Sequence, residues 1–494
     1  MRSDPSATTM IRILFYTDSF INHAPDPELK SWGLSEMERL IVYKTRGIVT
    51  YQFDLTSRHL DKQRLDSNFL GKYHEVWIFG VVNREGDPFE LADDEVAALK
   101  DWMDDGGGLF LTGDHSVPFN SQFCQGDLQR FLNLGFSLGN RIKRAGEMRL
   151  WKGSPTACLE SLDNFNTQEG NGSSNLDDPD LDNDDIAQTL FEMPDPPHPL
   201  FWWKIETSGK ILPIEKFPDH GHEGKLLKPD TCGEYWPPQA SDPVVAARGL
   251  DKRFPDKSRV YDLVMAWDGD TAGVGRIVTD SSFHHYLNIN LRKLRGRTGR
   301  ICGCGCGYLE PNSDLDQVAQ YYANLALWLA PKTLRQNIKL ELMFRVAEHP
   351  EIFEVQGTNI PYLGRMARHV MVLEAGDLSN LHRLATPGVS ESKPEPFDEL
   401  LHLLILGQNS FIELSTSKHE ILLGSIIRTH QLLTLPIEPL VSRLQTRHHL
   451  LESAIPQGLK LATETVPELR ETMTLMTAVP KMLELLHKHE PTDY

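Results

Sequence analysis

The sequence predicts an α/β protein with a doubly wound parallel sheet, followed by an all-α C-terminal region. Short apolar runs of strand length alternate with segments of helical spacing over residues 10–331. These runs are almost continuously apolar, which is typical of parallel strands buried on both faces. Beyond Pro331 the strand-like runs fade and segments of helical length remain. We therefore expect two domains, 10–331 and 332–494.

The strands and helices of the first 112 residues follow from these runs. Gly106, Gly107 and Gly108 end the second helix, since glycine commonly terminates helices. The predicted strands are Ile11–Thr17, Val49–Leu55, Glu75–Val82 and Leu109–Thr112, and the predicted helices are Leu34–Tyr43 and Pro88–Asp105.

A polar stretch rich in proline and aspartate interrupts the alternation at about residues 141–259. It shows no steady period, so we expect a long irregular insertion. Regular structure then resumes with two predicted strands, Tyr261–Trp267 and Val274–Thr279. A helix that begins at Asn312 or Ser313 is expected to close the domain.

Composition narrows the classes of partner. The chain has 50 Lys and Arg against 69 Asp and Glu, a net charge of −19, which argues against a nucleic-acid partner. No apolar run approaches the length of about 18 residues that crosses a membrane, so no membrane partner is expected. Six cysteines in 494 residues suit a reducing compartment, so we expect a cytoplasmic protein. With nucleic acid and membrane both disfavoured, we expect its partner to be a small-molecule substrate.

Polar side chains gather just after the predicted strands and in one part of the insertion. In an open parallel sheet, ligands bind beyond the carboxyl ends of the strands, so we expect these side chains to share one edge. They are Asp18 after the first strand, Asp114 and His115 after the fourth, Asp280, His284 and His285 after the last, and His220, His222 and Glu223 within the insertion.

Imidazole and carboxylate groups from separate loops are the ligands of a catalytic zinc, manganese or iron ion. A divalent metal is thus the expected cofactor, although the same side chains would also satisfy loop backbone groups in a purely structural role. The expected metal ligands are His115, His220, His222, Glu223 and His284. The expected catalytic residues are Asp114, His115, Glu223 and His284, with Asp114 or Glu223 as general base.

Other polar residues are candidates for contacts with the substrate. Their structural alternatives are pairing with nearby acids and packing in the core. The candidates are Asp18, Arg149, Trp151, Asp185 and His285. Because no Gly-x-Gly-x-x-Gly sequence follows a predicted strand, a nucleotide cofactor is not expected. The Cys302, Cys304 and Cys306 loop lacks the spacing of a zinc or iron-sulfur site.

Six segments in order resemble a group of bacterial proteins related to the trehalose-utilisation family, within the class I glutamine amidotransferase-like superfamily. They are GGGLFLTGDH (106–115), RIKRAGEMRLW (141–151), the pair Asp184–Asp185, PHPL (197–200), PDHGHEG (218–224) and AGVGRIVTDSSFHHYLNINL (272–291). The resemblance covers residues 10–331 and implies a flavodoxin-like sheet.

The resemblance also shapes the expected activity. The turn that carries the nucleophilic cysteine in true amidotransferases reads Thr-Gly-Asp-His-Ser here, at residues 112–116, so a Cys-dependent amidotransferase is not expected. We expect a metal-assisted hydrolase or lyase acting on a small polar substrate that is sugar-like or phosphorylated. The alternative is a non-catalytic ligand-binding or interaction module whose C-terminal helices contact a protein partner or a second copy.

Overall fold

The computed structural model describes the greater part of the α/β region. The described residues are 9–17, 33–45, 49–58, 61–80, 91–113, 159–165, 187–205, 211–218, 223–226, 243–251, 259–281, 283–291 and 311–338, together with 425 and 457. Those up to Arg335 belong to one compact unit. The predicted all-α region, 332–494, lies almost wholly outside the described residues and stays a prediction.

The described part of this unit contains thirteen strands, five α-helices up to Leu329 and three short 3₁₀ helices, and residues 332–338 are also helical. The strands are β1 (Thr9–Thr17), β2 (Val49–Ser57), β3 (Glu75–Gly80), β4 (Gly108–Gly113), β5 (Leu159–Phe165), β6 (Gln188–Thr189), β7 (Trp202–Lys204), β8 (Ile211–Pro213), β9 (Lys216–Phe217), β10 (Glu223–Leu226), β11 (Val244–Asp251), β12 (Arg259–Trp267) and β13 (Ile277–Asp280). The helices are α1 (Ser35–Lys44), α2 (Ser67–Leu70), α3 (Asp93–Asp104), α4 (Asn288–Leu291) and α5 (Ser313–Leu329). Among them, none is long and apolar enough to cross a membrane.

Nine of the strands form one sheet, and its centre is parallel. The order is β2-β1-β3-β4-β13, with every neighbouring pair in this group parallel. Beyond β13 the sheet continues with β12, β10 and β5 in antiparallel pairs, and β11 also pairs with β12. The prediction of an α/β protein with a mostly parallel core is confirmed.

Helices cover both faces of the parallel strands because each strand is apolar on both sides. On the first face, Leu14, Ile78 and Leu111 pack in one cluster with Leu99 and Met103 of α3. On the second face, here called the α5 face, the strands carry aromatic rings. Phe110 of β4 lies 5.1 Å from the ring of Tyr286, which in turn lies 5.3 Å from Tyr322 of α5.

The α5 helix begins where the sequence predicts, and most of its residues are buried. The Oδ1 atom of Asn312 accepts hydrogen bonds from the backbone N–H groups of Asp314 and Leu315, at 3.1 and 2.8 Å, and caps the helix. Fourteen of its 17 residues are buried. An amphipathic surface helix buries only one stripe, so a second layer must cover the side that faces away from the sheet.

The insertion provides that second layer, and the prediction that it is irregular is wrong for the described parts. It contributes β5 to β11, of which β5, β10 and β11 join the main sheet. Two buried amides of α5 hold it. Gln317 Oε1 accepts from the backbone N–H of Glu215 at 2.9 Å, and Asn324 Nδ2 donates to the carbonyl oxygens of Leu200 and Trp202.

Candidate functional site

The carboxyl ends of β1, β4 and β13 lie at one edge of the sheet. All three strands are parallel, and Leu111 of β4 pairs with Thr279 of β13. Each strand ends within a residue or two of that level, at Thr17, Gly113 and Asp280. Turns that are far apart in sequence therefore begin at a common edge, as predicted.

The last row of side chains on the α5 face is polar at this edge. Thr17 pairs with Ser57 on one side and with Phe79 on the other, and Phe79 pairs with Thr112. Leu111 pairs with Thr279, so the next residues of these two parallel strands, Thr112 and Asp280, lie side by side. Four of the five positions in this row are therefore polar, and all four are buried.

The hydroxyl oxygens of Thr17 and Thr112 have no hydrogen-bond partner, although both side chains are fully buried. A buried hydroxyl without a partner is unfavourable by about 1–3 kcal/mol. The preceding row on the same face contains Phe15, Trp77 and Phe110, so the change from apolar to polar is abrupt. A ligand or water at this edge would complete the hydrogen bonding of both hydroxyls.

A carboxylate at the end of β13 organises the groups beside this row. Asp280 Oδ1 lies 2.7 Å from Nδ1 of His285, and Asp280 Oδ2 accepts a hydrogen bond of 2.7 Å from the hydroxyl of Tyr286. The hydroxyl of Tyr321, on α5, lies 3.4 Å from the same oxygen. The hydroxyl of Tyr322 donates to the backbone carbonyl of His285.

Burial keeps the two phenols protonated. Desolvation raises the pKa of Tyr286 and that of Tyr321 well above the ordinary value of 10, and the negative charge of Asp280 raises both further. Each phenol therefore remains a hydrogen-bond donor at neutral pH. As a result, the second oxygen of Asp280 is held by O–H groups from two different elements.

A buried amide joins the histidine turn to the start of α1. Asn288 Oδ1 accepts from the backbone N–H of Glu36 at 2.8 Å, and Asn288 Nδ2 donates to Ser35 Oγ at 2.9 Å. The first turn of α1 therefore lies at the edge where β13 ends. Within that helix, burial raises the pKa of Glu38 to about 7. A carboxyl group that titrates near neutrality suits acid-base chemistry.

The structure describes only part of the predicted site. Both Asp280 and His285 are placed with their side chains, and they are brought together. For Glu223 and His284 only the backbone is described. The remaining predicted residues, which are Asp18, Asp114, His115, Arg149, Trp151, Asp185, His220 and His222, lie outside the described residues.

Glu223 opens β10 rather than following a strand. Both β10 and β13 are antiparallel to β12, so they run in the same direction. On β12, Val264 pairs with Asp280 of β13 and Asp262 pairs with Leu226 of β10. Leu226 therefore lies two residues further towards the carboxyl edge than Asp280. The carboxyl end of β10 therefore reaches the shared edge, whereas the backbone of Glu223 begins nearer the middle of the sheet.

Phe217 of the insertion packs directly on the histidine turn. Its ring lies edge-to-face on that of His285, with 4.7 Å between centroids, and 4.8 Å from the ring of Tyr321. Gln188 Nε2 donates to the backbone carbonyl of Pro218 at 2.7 Å. The chain is thus anchored beside His285 immediately before the segment that carries His220 and His222.

The amino edge of the sheet has a different character. Arg276 and Asp268 are buried and form two hydrogen bonds, at 3.0 and 3.2 Å, and Arg276 also contacts Asp270 at 2.9 Å. The guanidinium of Arg335 pairs with Asp270 as well, and both arginines donate to the carbonyl of Trp328. This cluster ties the β12–β13 connection to the end of α5.

Several residues in the sequence segments that carry the resemblance have structural roles. A Cβ on Gly108 would lie 2.0 Å from the carbonyl oxygen of Leu329, and one on Gly275 would lie 1.8 Å from that of Gly107. Only glycine allows such approaches. His198 is buried and its Nδ1 accepts from the backbone N–H of Leu200, and desolvation lowers the pKa of His198 to about 3.

The residues that support the edge were not among the predicted site residues. They are Thr17, Thr112, Tyr286, Asn288 and Tyr321. The tyrosines lie in apolar surroundings and read as core, and threonine is common in strands. The one available signal was position, because Thr17 and Thr112 fall at the last places of predicted strands.

In the described part of the chain, no group of three or more His, Cys, Asp or Glu side chains is placed to hold a metal ion. No family model, no curated protein and no solved structure matches the chain.

Proposed function

We propose that the chain is a trehalose-utilisation-like member of the class I glutamine amidotransferase-like superfamily that works without a cysteine nucleophile. The strand order β2-β1-β3-β4-β13 supports this proposal, because it is the order of flavodoxin-like sheets. Cys-dependent amide hydrolysis has no support, since Thr112 and Gly113 at the end of β4 are followed by Asp114 and His115.

Its proposed activity is metal-assisted hydrolysis or elimination on a small polar substrate at the carboxyl edge of the sheet. The observation that carries this proposal is the buried polar row of Ser57, Thr17, Thr112 and Asp280 above an apolar row. Convergent polar groups at the carboxyl ends of parallel strands support a binding site there.

The anchor at Phe217 supports a contribution from the insertion. Residues 219–222 connect Pro218, beside His285, to the backbone of Glu223 in β10. In the sequence, His220 and His222 fall between Phe217, which packs on His285, and Glu223, which opens β10. That order supports the proposal that His115, His220, His222, Glu223 and His284 form one centre.

The residues have separate proposed roles. A divalent metal bound there would lower the pKa of a coordinated water and supply hydroxide near neutral pH. Asp114, Glu223 or the half-buried Glu38 would exchange the proton, and the hydroxyls of Thr17 and Thr112 would orient substrate oxygens. We also propose a cytoplasmic location, and self-association or partner binding through residues 332–494.

Metal content of the full-length protein tests the proposal. We expect purified wild type to contain close to one equivalent of zinc, manganese or iron, measured by elemental analysis. His115→Ala, His222→Ala and His284→Ala should each lose it while the melting temperature stays near that of wild type. His74→Gln is the matched control, because His74 precedes β3 at the opposite edge of the sheet and should leave metal content unchanged.

A non-catalytic ligand-binding module is the second candidate. It is favoured by the complete burial of the Asp280–His285 pair, which would suit a structural role equally. A metal content below about a tenth of an equivalent, in protein prepared without chelators, would leave this second candidate as the better one.

A further inference from the structure

The strand β2 forms one end of the main sheet, and one of its sides is open. It pairs with β1 along all nine of its residues and, among the described strands, with no other. In a strand, the backbone N–H and C=O groups of successive residues point to opposite sides. Arg58, directly after β2, donates its N–H to the carbonyl of Thr17 in β1 at 2.8 Å. The backbone groups of Tyr51, Phe53 and Leu55 therefore point away from β1.

The chain itself closes both ends of this open side. At the carboxyl end, the N–H of Ser57 donates to Asp61 Oδ2 at 2.7 Å, and the carbonyl of Ser57 accepts from the N–H of Asp61 at 3.0 Å. At the amino end, the N–H of Val49 donates to the carbonyl of Thr45 at 3.5 Å. Within the described residues, no backbone hydrogen bond reaches the outward groups between these two ends. They offer donors and acceptors to a further strand, as sheet edges do.

β2 lacks the features that commonly keep sheet edges apart, which are lysine, proline and β-bulges. Its sequence, VTYQFDLTS, has a single charged residue, Asp54, and its ladder with β1 has no register shift. At the opposite end of the sheet, by contrast, the β10–β5 ladder shifts between Glu223 and Lys225. The helix that leads into β2, α1, also exposes 47% of Val42 and 50% of Tyr43. This end of the sheet therefore combines an open edge with apolar surface.

Two copies of β2 fit each other in one antiparallel register. With a two-fold axis at Phe53, that residue faces its own counterpart and Tyr51 faces Leu55 of the second copy, so every outward N–H and C=O group is paired. Phe53 already stacks on Tyr51 within one chain, with 5.6 Å between ring centroids, and the pairing continues this aromatic row. On the other face of the sheet, the exposed amide of Gln52 comes opposite the carboxylate of Asp54 of the second copy.

The neighbouring registers are less favourable. An axis at Asp54 would place two carboxylates directly opposite each other, and like charges at opposed positions destabilise a strand pair. An axis at Gln52 would pair Leu55 with Val49, whose N–H is already bonded to Thr45. The axis at Phe53 avoids both.

We infer that the chain forms a two-fold symmetric dimer in which β2 pairs antiparallel with β2 of a second copy about Phe53. The main sheet then continues through both copies. This surface is separate from residues 332–494, and the inference does not depend on the proposed function.

Opposite charges placed at Gln52 test both the dimer and its register, with the dimer Kd of the full-length protein measured by analytical ultracentrifugation. Gln52→Lys sets an ammonium group against Asp54 of the second copy at two symmetric places, and should tighten the dimer about three- to thirtyfold. Gln52→Glu should weaken it by a similar factor. Gln63→Lys and Gln63→Glu are the matched controls outside β2, and should leave the Kd within about twofold of wild type.

Amide hydrogen exchange of the wild type tests the same pairing without a substitution. The N–H groups of Tyr51, Phe53 and Leu55 should exchange more slowly as the protein concentration rises through the dimer Kd, because pairing protects them. Those of Gln52 and Asp54, which face β1, should change less and serve as internal references.

Several results would overturn the inference. A wild type that stays monomeric at about 100 µM has no such dimer. A dimer whose Kd ignores both Gln52 variants associates through another surface, such as residues 332–494. Weakening by Gln52→Lys would place two lysines opposite each other and so exclude the axis at Phe53. Protection of the Phe53 amide that is independent of concentration would mean that another part of the same chain covers the edge. Should a Gln52 variant not fold, hydrogen exchange of the wild type decides the question.

Discussion

At the residue scale, the buried hydroxyls of Thr17 and Thr112 allow the proposed site to be tested. We expect Thr112→Val to raise the free energy of unfolding by about 1 kcal/mol, because it removes a buried hydroxyl that has no partner. Urea unfolding measures this. Thr45→Val is the control, since Thr45 is also buried but donates to the carbonyl of Ile41 at 2.8 Å, and it should lose about 1 kcal/mol.

Those two threonines also bear on function. A residue that destabilises the ligand-free protein and serves a ligand is expected at binding sites, where stability and activity oppose each other. If Thr112→Val destabilised the protein as Thr45→Val is expected to do, the hydroxyl of Thr112 would have a structural role, and the polar row would lose its support as a site.

A second buried group makes stability depend on pH. Glu75 is fully buried, Trp77 Nε1 donates to its Oε2 at 2.9 Å, and its Oε1 has no partner. Burial raises the pKa of Glu75 well above the ordinary value of 4.5. The unfolded chain releases this proton at lower pH than the folded one. The stability that Glu75 contributes is therefore complete below about pH 4.5 and is lost as pH rises through the folded pKa.

Glu75→Gln isolates this contribution. The amide keeps an acceptor for Trp77 but does not titrate. Between pH 5 and pH 8 the free energy of unfolding of wild type should fall relative to that of Glu75→Gln, measured in urea at each pH. Parallel pH profiles for the two proteins would show that Glu75 is ionised in the folded state.

At this scale the candidate site residues could be predicted only from their position after a strand. Asp280 and His285 were predicted because they follow an apolar run, and the structure places them in contact. Tyr286 and Tyr321 were not, because a buried phenol that donates to a carboxylate looks like any core aromatic in sequence. The partner of a buried polar group depends on which elements meet, and that information is not local.

At the element scale, the parallel strands were predictable because burial on both faces leaves a continuous apolar run. β1 to β4, β12 and β13 all appear where such runs occur, within a few residues at each end. The strands of the insertion were not predictable, because β6 to β9 are only two or three residues long. Such strands are too short to show a period, and they are stabilised by amides of α5 rather than by their own pattern.

The close contact between β4 and α5 gives a prediction for these elements. Gly108→Ala should destabilise the protein by about 3 kcal/mol or more, since the new Cβ would lie 2.0 Å from the carbonyl oxygen of Leu329 and the helix end must shift. Gly106→Ala is the control. Its φ is +95° but the added Cβ meets nothing within 4 Å, so about 1–2 kcal/mol of backbone strain is expected.

Thermal unfolding compares these two variants directly. Equal losses would mean that α5 yields to the added methyl group, and that the three glycines ending α3 serve only to stop the helix. The larger loss at Gly108 would explain why a run of glycines extends into β4, where glycine otherwise weakens a strand.

At the scale of the whole unit, the two edges of the sheet carry different groups, and the proposed binding site lies at one of them. The amino edge is closed by glycine contacts and by the Arg276–Asp268 and Arg335–Asp270 pairs. The carboxyl edge ends in buried hydroxyls and in the Asp280–His285 pair. Among the described residues, the row of buried hydroxyl groups lies at the carboxyl edge, which is where open parallel sheets bind ligands.

This division predicts opposite effects of variants at the two edges. Arg276→Met should lower the free energy of unfolding by about 3–5 kcal/mol, because it leaves the buried carboxylate of Asp268 without its partner. Zn²⁺ affinity of the folded fraction should not change. The control is Arg64→Ala, which removes an exposed pair with Asp94 and should cost at most about 1 kcal/mol.

His284→Ala should show the reverse of Arg276→Met, with Zn²⁺ affinity lost and stability kept. Loss of Zn²⁺ binding by folded Arg276→Met would mean that the two edges are coupled through β13, and the metal site would then have to be sought along that strand.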